Sequence, residues 1–267
     1  MYKTKYQENC EQHHKDIVDR FEVAKTVDKF WTKDEIQTLL EYQFQNAKRV
    51  KASATGSNIQ PVVAINDLFE NVEFVEKKFK ELLGDYAEEH TGNFYITTQP
   101  HDCHVDLLTE QECIHDESRY NMYKNLVPWK SVVMPLFITH HPDEFTSTAF
   151  MKQRRLGHSV TFDRLGDSAE SDYKLAKTYN GLVDILGEPL DGEHDYNDWN
   201  NDSFPHIDKE NFRGFGIETI LHHKVGDIML FDACQVHASM NNPKFTNWLK
   251  NGINIQFYNC LLYTSDA

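Results

Sequence analysis

Gly226-Asp227-Ile228-Met229-Leu230-Phe231-Asp232-Ala233-Cys234-Gln235-Val236-His237-Ala238-Ser239 is the stretch that decides how this chain is read. A Gly-Asp turn signal, four apolar residues in a row, a short polar break and a second short run ending on a histidine have the pattern of strand, tight turn, strand. That pattern sets His237 on a rigid element. A histidine near a strand end is by itself more often a hydrogen-bonded structural residue than a ligand. Its meaning changes because of His104-Val105-Asp106 upstream.

Residues i and i+2 of a strand face the same side, so His104 and Asp106 are expected to project together. An imidazole nitrogen and a carboxylate oxygen so placed, joined by His237 from a distant strand, make a 2-His-1-carboxylate facial triad. Such a set leaves positions on iron open for substrate and oxygen. His-x-Asp occurs four times in the chain, so context has to select among them. His14-Lys15-Asp16 lies in a region of helical pattern and His141-Pro142-Asp143 has proline at its centre. His206-Ile207-Asp208 follows Pro205 in a polar loop and stands only 31 residues before His237. That interval is too short for the strands that must separate two ligand-bearing strands of a barrel.

Outward from these motifs, 267 residues suffice to bury a core without staples. A net charge of −15 excludes a polyanion as the main partner, and lysine and arginine are scattered among more numerous carboxylates, so no nucleic acid is expected. No apolar run has the length of a membrane span and Met1–Tyr6 carries no signal-peptide core, which makes no membrane and a cytoplasmic location the expectation. Five cysteines without a CxxC pair suit reduced thiols. The last eight residues, Cys260 to Ala267, resemble the in-frame translation of a transposase adapter used in sequencing libraries. They are set apart as a non-native tail, and the native sequence is expected to stop near Asn259.

Residues 8–30 have a mixed-charge, loosely helical pattern. Thr32-Lys33-Asp34-Glu35 is a capping box, followed by Ile36, Leu39, Leu40, Gln43 and Phe44 at helical spacing. Residues 51–60 form a loop, and a second helix is predicted from an Asn66 cap through Leu68, Val75 and Phe79 to Gly84. Strands are then predicted over Asn93–Thr98, Cys103–Leu108, Ser131–Ile138, Phe145–Phe150, Gly216–His222 and Asn251–Tyr258. Residues 151–215 lose strand character; a helix within Ser171–Leu186 and a substrate-facing lid are the expectations there. The whole is read as one domain over 1–259, mainly β with supporting helices. Residues 1–90 are its helical support and 91–259 a jelly-roll core, with N-terminal helices packed on it and 151–215 as an insertion.

Asn93-Phe94-Tyr95-Ile96-Thr97, His104-Val105-Asp106, Phe145-Thr146-Ser147-Thr148-Ala149-Phe150, and Gly226 to Asp232 with His237-Ala238-Ser239 occur in an order that resembles the iron(II)/2-oxoglutarate-dependent dioxygenase superfamily. The likeness is greatest to its prolyl-hydroxylase and phytanoyl-CoA-hydroxylase-like branches. The resemblance implies a double-stranded β-helix holding Fe(II) by His104, Asp106 and His237, with 2-oxoglutarate and O2 as co-substrates. It implies oxidative decarboxylation to succinate coupled to oxidation, most simply hydroxylation, of a substrate. That substrate is a small molecule or a protein side chain. The family also uses a cation, usually arginine, shortly after the distal histidine to pair with the far carboxylate of 2-oxoglutarate. No arginine lies between His237 and Asn259, only Lys244 and Lys250. Lys250 is expected to fill the role because it shares a strand face with Gly252 and Asn254, whereas Lys244 follows Pro243 in a turn. Tyr95 and Thr97 are candidates for hydroxyl contacts to the co-substrate. Cys103 and Cys234 are read as buried small hydrophobes, His101, His140, His222 and His223 as turn or surface residues, Ser239 as a residue orienting a ligand, and Asp227 as shaping the turn. The competing reading is a metal-binding jelly roll without catalysis, a cupin-like small-molecule binder, which the missing arginine favours.

Overall fold

The architecture was obtained as a computed structural model, which describes residues 21–46, 48–49, 61–62, 65–84, 90–97, 100–101, 103–106, 126–139, 147–155, 161–162, 182–184, 186, 204, 206–207, 215–240 and 249–260. Among these, β1 is Lys25–Val27, α1 Lys33–Asn46, β2 Lys48–Arg49, β3 Pro61–Val62, α2 Ile65–Asn71 and α3 Glu73–Leu83. The strands β4 His90–Thr97, β5 Cys103–His104, β6 Leu126–Ile138, β7 Ser147–Arg155, β8 Thr161–Phe162 and β9 Leu182–Val183 follow. The last four are β10 Ile217–His222, β11 Ile228–Asp232, β12 Gln235–Met240 and β13 Lys250–Cys260.

Two large antiparallel sheets result, and β2 pairs with β3 in a separate two-stranded ribbon. One large sheet has the order β1-β11-β6-β13-β4 and the other β10-β7-β12-β5-β8, with β9 also paired to β7. Neighbours in each sheet are far apart in sequence, the crossed order of a jelly roll rather than of a meander. Period-two alternation sorts the first sheet's side chains. Phe94, Val132, Met134, Leu136, Ile228, Leu230, Ile253, Ile255 and Phe257 form one core with Trp31 and the helix residues Leu39, Leu68, Val75 and Phe79. The intervening residues Asn93, Tyr95, Val133, Met229, Phe231 and Asn254 turn to the opposite face and line a cavity. The helices therefore pack on the outside of one sheet and leave its other face to the site.

The capping box forms as read. Thr32 N donates to Glu35 Oε2 at 2.8 Å and Glu35 N to Thr32 Oγ1 at 3.2 Å. Of the positions spaced along α1, Leu39 and Gln43 are buried, but Phe44 is exposed. The predicted second helix is two helices, because Val72 takes an extended backbone (φ −127°) between α2 and α3. The apolar stripe survives the break since both pieces pack on one core. Residues 25–27, within the loosely helical reading, are a strand paired to β11, where the β-branched Thr26 and Val27 are accommodated. Leu182–Val183 pairs with Arg154–Arg155 as a strand instead of continuing a helix. Residues 171–181 and 185 of that predicted helix, the 51–60 loop and most of 151–215 lie outside the described residues. Phe204, Ile207 and Phe215 from that insertion do not face the cavity; they cover Ala149, Met151, Val236 and Ala238 on the second sheet's outer face. β13 extends to Cys260, one residue into the stretch set apart. No described helix is long and apolar enough to cross a membrane.

Two backbone features hold the site's scaffold in shape. Gly226 has φ +94°, a left-handed value that lets its carbonyl accept from Trp31 N at 2.9 Å, so the turn into β11 is tied to the start of α1. Asp227 Oδ1 accepts from Lys29 N at 2.7 Å, which completes that turn as expected. Pro135 within β6 would remove a ladder bond in a regular strand, and it falls where the β6–β13 register shifts, opposite Gly252.

Candidate metal centre and cavity

β12 and β5 pair so that His237 and His104 are direct cross-strand partners. Their rings lie 4.2 Å apart, centre to centre. β5 ends at His104, so Asp106 is not carried by the strand as expected. It sits in a bend, its amide donating to Ala233 O at 3.0 Å in the β11–β12 turn. The carboxylate reaches the two imidazoles all the same: Asp106 Oδ1 lies 3.6 Å from His104 Nε2 and 3.9 Å from His237 Nε2. One donor atom from each of the three residues lies within 4.8 Å of the others.

Local chemistry prepares these atoms for a cation. His237 Nδ1 lies 3.0 Å from Gln235 O, and donating its proton there leaves Nε2 as a lone pair facing Asp106. Burial, then the proximity of His104, pushes His237 down to about 4 against the pull of Asp106, so it is neutral at physiological pH. Asp106 Oδ2 is buried and has no hydrogen-bond partner among the described residues. A buried carboxylate oxygen left unsatisfied is costly, and a divalent ion is the partner that two imidazoles and a carboxylate jointly suit. The residues present therefore fit a transition metal such as iron.

The triad opens on a cavity of about 200 Å³ between the sheets. Val133, Phe150, Met229 and Phe231 form its apolar wall, and Asn93, Tyr95, His101, Thr148, His223, Ser239, Lys250 and Asn254 supply polar groups. Lys250 is buried, with its Nζ 3.1 Å from His223 Nδ1 and 5.3 Å from the centre of the Tyr95 ring. Burial pulls Lys250 down to about 7. Tyr95 lines the cavity, and its buried hydroxyl, like Asn254 Oδ1, has no partner among the described residues. Thr97 is buried and is Lys250's partner across the β4–β13 ladder, but it does not line the cavity.

The remaining candidates divide. Cys103 and Cys234 are buried and lie outside the metal trio, as expected. Ser239 lines the cavity and its amide donates to His101 O at 3.2 Å. His222 is exposed and bonded to Ser147 Oγ at 2.7 Å. His223 corrects the surface reading: it is buried and faces the cavity. The signal that could have found it is alternation, because Leu221 packs inward beside Phe150 and Phe231, and a residue two further on shares that face. His101 also lines the cavity. His140 and Lys244 lie outside the described residues.

Gly252 makes room for the tyrosine. A Cβ there would come within 2.7 Å of Tyr95 Oη and closer still to Met134 O. Gly252→Ala is expected to displace the Tyr95 ring and destabilise the fold by about 1–3 kcal/mol, as overpacking does. Urea unfolding with a tyrosine fluorescence readout checks this.

No family model matches the chain, and no curated protein matches it either. Solved structures do. The epimerase SnoN, in complex with Fe3+, alpha ketoglutarate and nogalamycin RO, is 10% identical over 94% of this chain and 82% of its own, with a TM-score of 0.46. EvdO2 from Micromonospora carbonacea var. aurantiaca is 10% identical over 94% of this chain and 90% of its own, with a TM-score of 0.45. A Pseudomonas putida prolyl-4-hydroxylase is 9% identical over 91% and 96%, with a TM-score of 0.40. The two crossed antiparallel sheets, with a cavity between them, define a jelly roll without recourse to these likenesses. What this jelly roll does is argued from its own residues.

Proposed function

We propose that this protein is an iron(II)- and 2-oxoglutarate-dependent oxygenase, most simply a hydroxylase. The observation that carries the reading is the union, in one cavity, of a His-Asp-His trio and a buried lysine whose charge has no carboxylate partner in the bonds described. His104, Asp106 and His237 would hold the iron. Iron with 2-oxoglutarate and O2 supplies an oxidation in which one oxygen atom enters succinate as carbon dioxide leaves and the other enters a substrate C–H bond. Lys250 pairs with the far carboxylate of 2-oxoglutarate as a point charge, and Tyr95 adds a hydroxyl beside it. Phe150, Met229 and Phe231 keep water from the reacting centre. The substrate is a small molecule or a protein side chain, and five cysteines without a CxxC pair suit a reducing compartment such as the cytoplasm.

The test is iron-dependent formation of succinate from 2-oxoglutarate by the purified protein. Turnover that requires iron supports the reading. Tight metal binding with neither succinate nor any effect of 2-oxoglutarate would instead favour the cupin-like binder.

Lys250→Met is expected to weaken 2-oxoglutarate binding at least about 30-fold while leaving metal affinity unchanged. The sign of the pH dependence follows from burial. The unbound lysine is largely neutral above pH 7, and an arriving carboxylate restores its charge, so binding at pH 8 takes up a proton and weakens as pH rises further. In the ligand-free fold the same burial imposes a cost on charged Lys250 that is full below about pH 7. That cost is relieved as pH climbs toward the unfolded lysine value. Calorimetry in buffers of different ionisation enthalpy should detect the proton uptake in wild type and not in Lys250→Met.

A further inference from the structure

The end of β10 sets two histidines side by side with opposite fates. His222 is exposed, whereas His223 is buried between Lys250 of β13 and Thr148 of β7. His223 Nδ1 lies 3.1 Å from Lys250 Nζ, and its Nε2 lies 2.8 Å from Thr148 Oγ1. The direction of these bonds follows from donor inventory. A charged ammonium only donates, so it donates to Nδ1. A neutral imidazole that accepts at Nδ1 carries its proton on Nε2 and donates it to Thr148 Oγ1. Having accepted there, the threonine hydroxyl has its own hydrogen left to give. Both Lys250 and Thr148 line the cavity. The ammonium, holding one N–H on His223, has two more to direct.

We infer that His223 is a positioning residue for carboxylate binding, aiming the Lys250 ammonium and the Thr148 hydroxyl so that both donate to the far carboxylate of the co-substrate. This rests on the reading of the cavity as a 2-oxoglutarate site. It accounts for how the site works without arginine. A guanidinium offers two parallel donors from one side chain, whereas a lysine is a point charge. The histidine joins a second donor to that lysine and fixes the angle between them. Tyr95 beneath the ammonium, with its ring centre 5.3 Å away, limits movement on the other side.

The test is anaerobic calorimetry on the iron(II)-loaded protein with two probes, 2-oxoglutarate and 2-oxobutanoate, which lacks the far carboxylate. His223→Leu is expected to weaken 2-oxoglutarate about tenfold and leave 2-oxobutanoate and iron affinity unchanged. His223→Gln should restore part of the loss, because an amide both accepts and donates. In a Lys250→Met background, His223→Leu should add less than about twofold. Should His223→Leu not fold, Thr148→Val removes the hydroxyl at nearly constant shape and carries the same expectation for the two probes. A His223→Leu protein that binds 2-oxoglutarate as wild type does, or that loses both probes equally, overturns the inference alone. A wild-type protein that binds neither probe in an iron-dependent way overturns the reading of the cavity, and this inference with it.

Discussion

Asp106→Ala is expected to lower iron(II) affinity and iron-dependent succinate formation by at least about 1,000-fold. Changes to residues that merely orient a metal ligand commonly cost 10–100-fold, and loss of the only carboxylate in the trio removes both a bond and the site's anionic charge. The same substitution should leave the metal-free fold as stable as wild type or slightly more so. Asp106 Oδ2 is buried without a partner among the described residues, and its removal relieves that burden. The pairing of collapsed metal binding with undiminished apo stability distinguishes a metal ligand from a structural carboxylate. Metal titration and thermal unfolding of the same preparation measure both. A loss of apo stability with metal affinity retained would contradict the assignment.

The opposite signature is expected at Asp232. This residue is 1% exposed and sits where the two sheets meet at one end. Its Oδ1 accepts from Lys130 Nζ of β6, and its Oδ2 accepts from Arg154 Nε of β7 at 3.3 Å and from Glu22 N at 3.1 Å. Arg154 is fully buried and also donates to Glu218 Oε2 of β10 at 3.1 Å and to Glu22 O at 2.9 Å. Burial opposes the Arg154 charge, and Glu218 with Asp232 more than offsets it. Gln235 of β12 donates to the same Glu218 oxygen at 2.7 Å. Removing Asp232 leaves Lys130 and Arg154 desolvated with half their compensation gone. Asp232→Ala should therefore cost about 3–5 kcal/mol. For a chain of this size that is a fall of roughly 10 °C in melting temperature. Calorimetry or urea unfolding reads it. A change below about 1 kcal/mol would mean that the cluster does not join the sheets energetically.

These two carboxylates also show what the sequence made legible. The β11–turn–β12 hairpin was readable because apolar residues and turn signals are local, and His237 fell where the pattern placed it. The trio could be picked from four His-x-Asp tripeptides by strand context, yet the reason given for Asp106 was incomplete. The strand stops at His104, and a hydrogen bond to Ala233, remote in sequence, sets the carboxylate. Lys250 was legible from strand alternation with Gly252 and Asn254. His223 was not singled out, because two adjacent histidines at a strand end look alike unless the apolar Leu221 is taken to mark the inward face. Asp232 carried no signal at all: its partners Glu22, Lys130 and Arg154 come from three other segments, and only the packed sheets bring them together.

The most direct test of the central claim is anaerobic titration of the iron(II)-loaded protein with 2-oxoglutarate, followed by the visible metal-to-ligand charge-transfer band. The expected result is a band that grows to saturation in wild type and fails to appear in His237→Ala or Asp106→Ala. Iron bound at His104, Asp106 and His237 with no spectral change on adding 2-oxoglutarate would contradict the account.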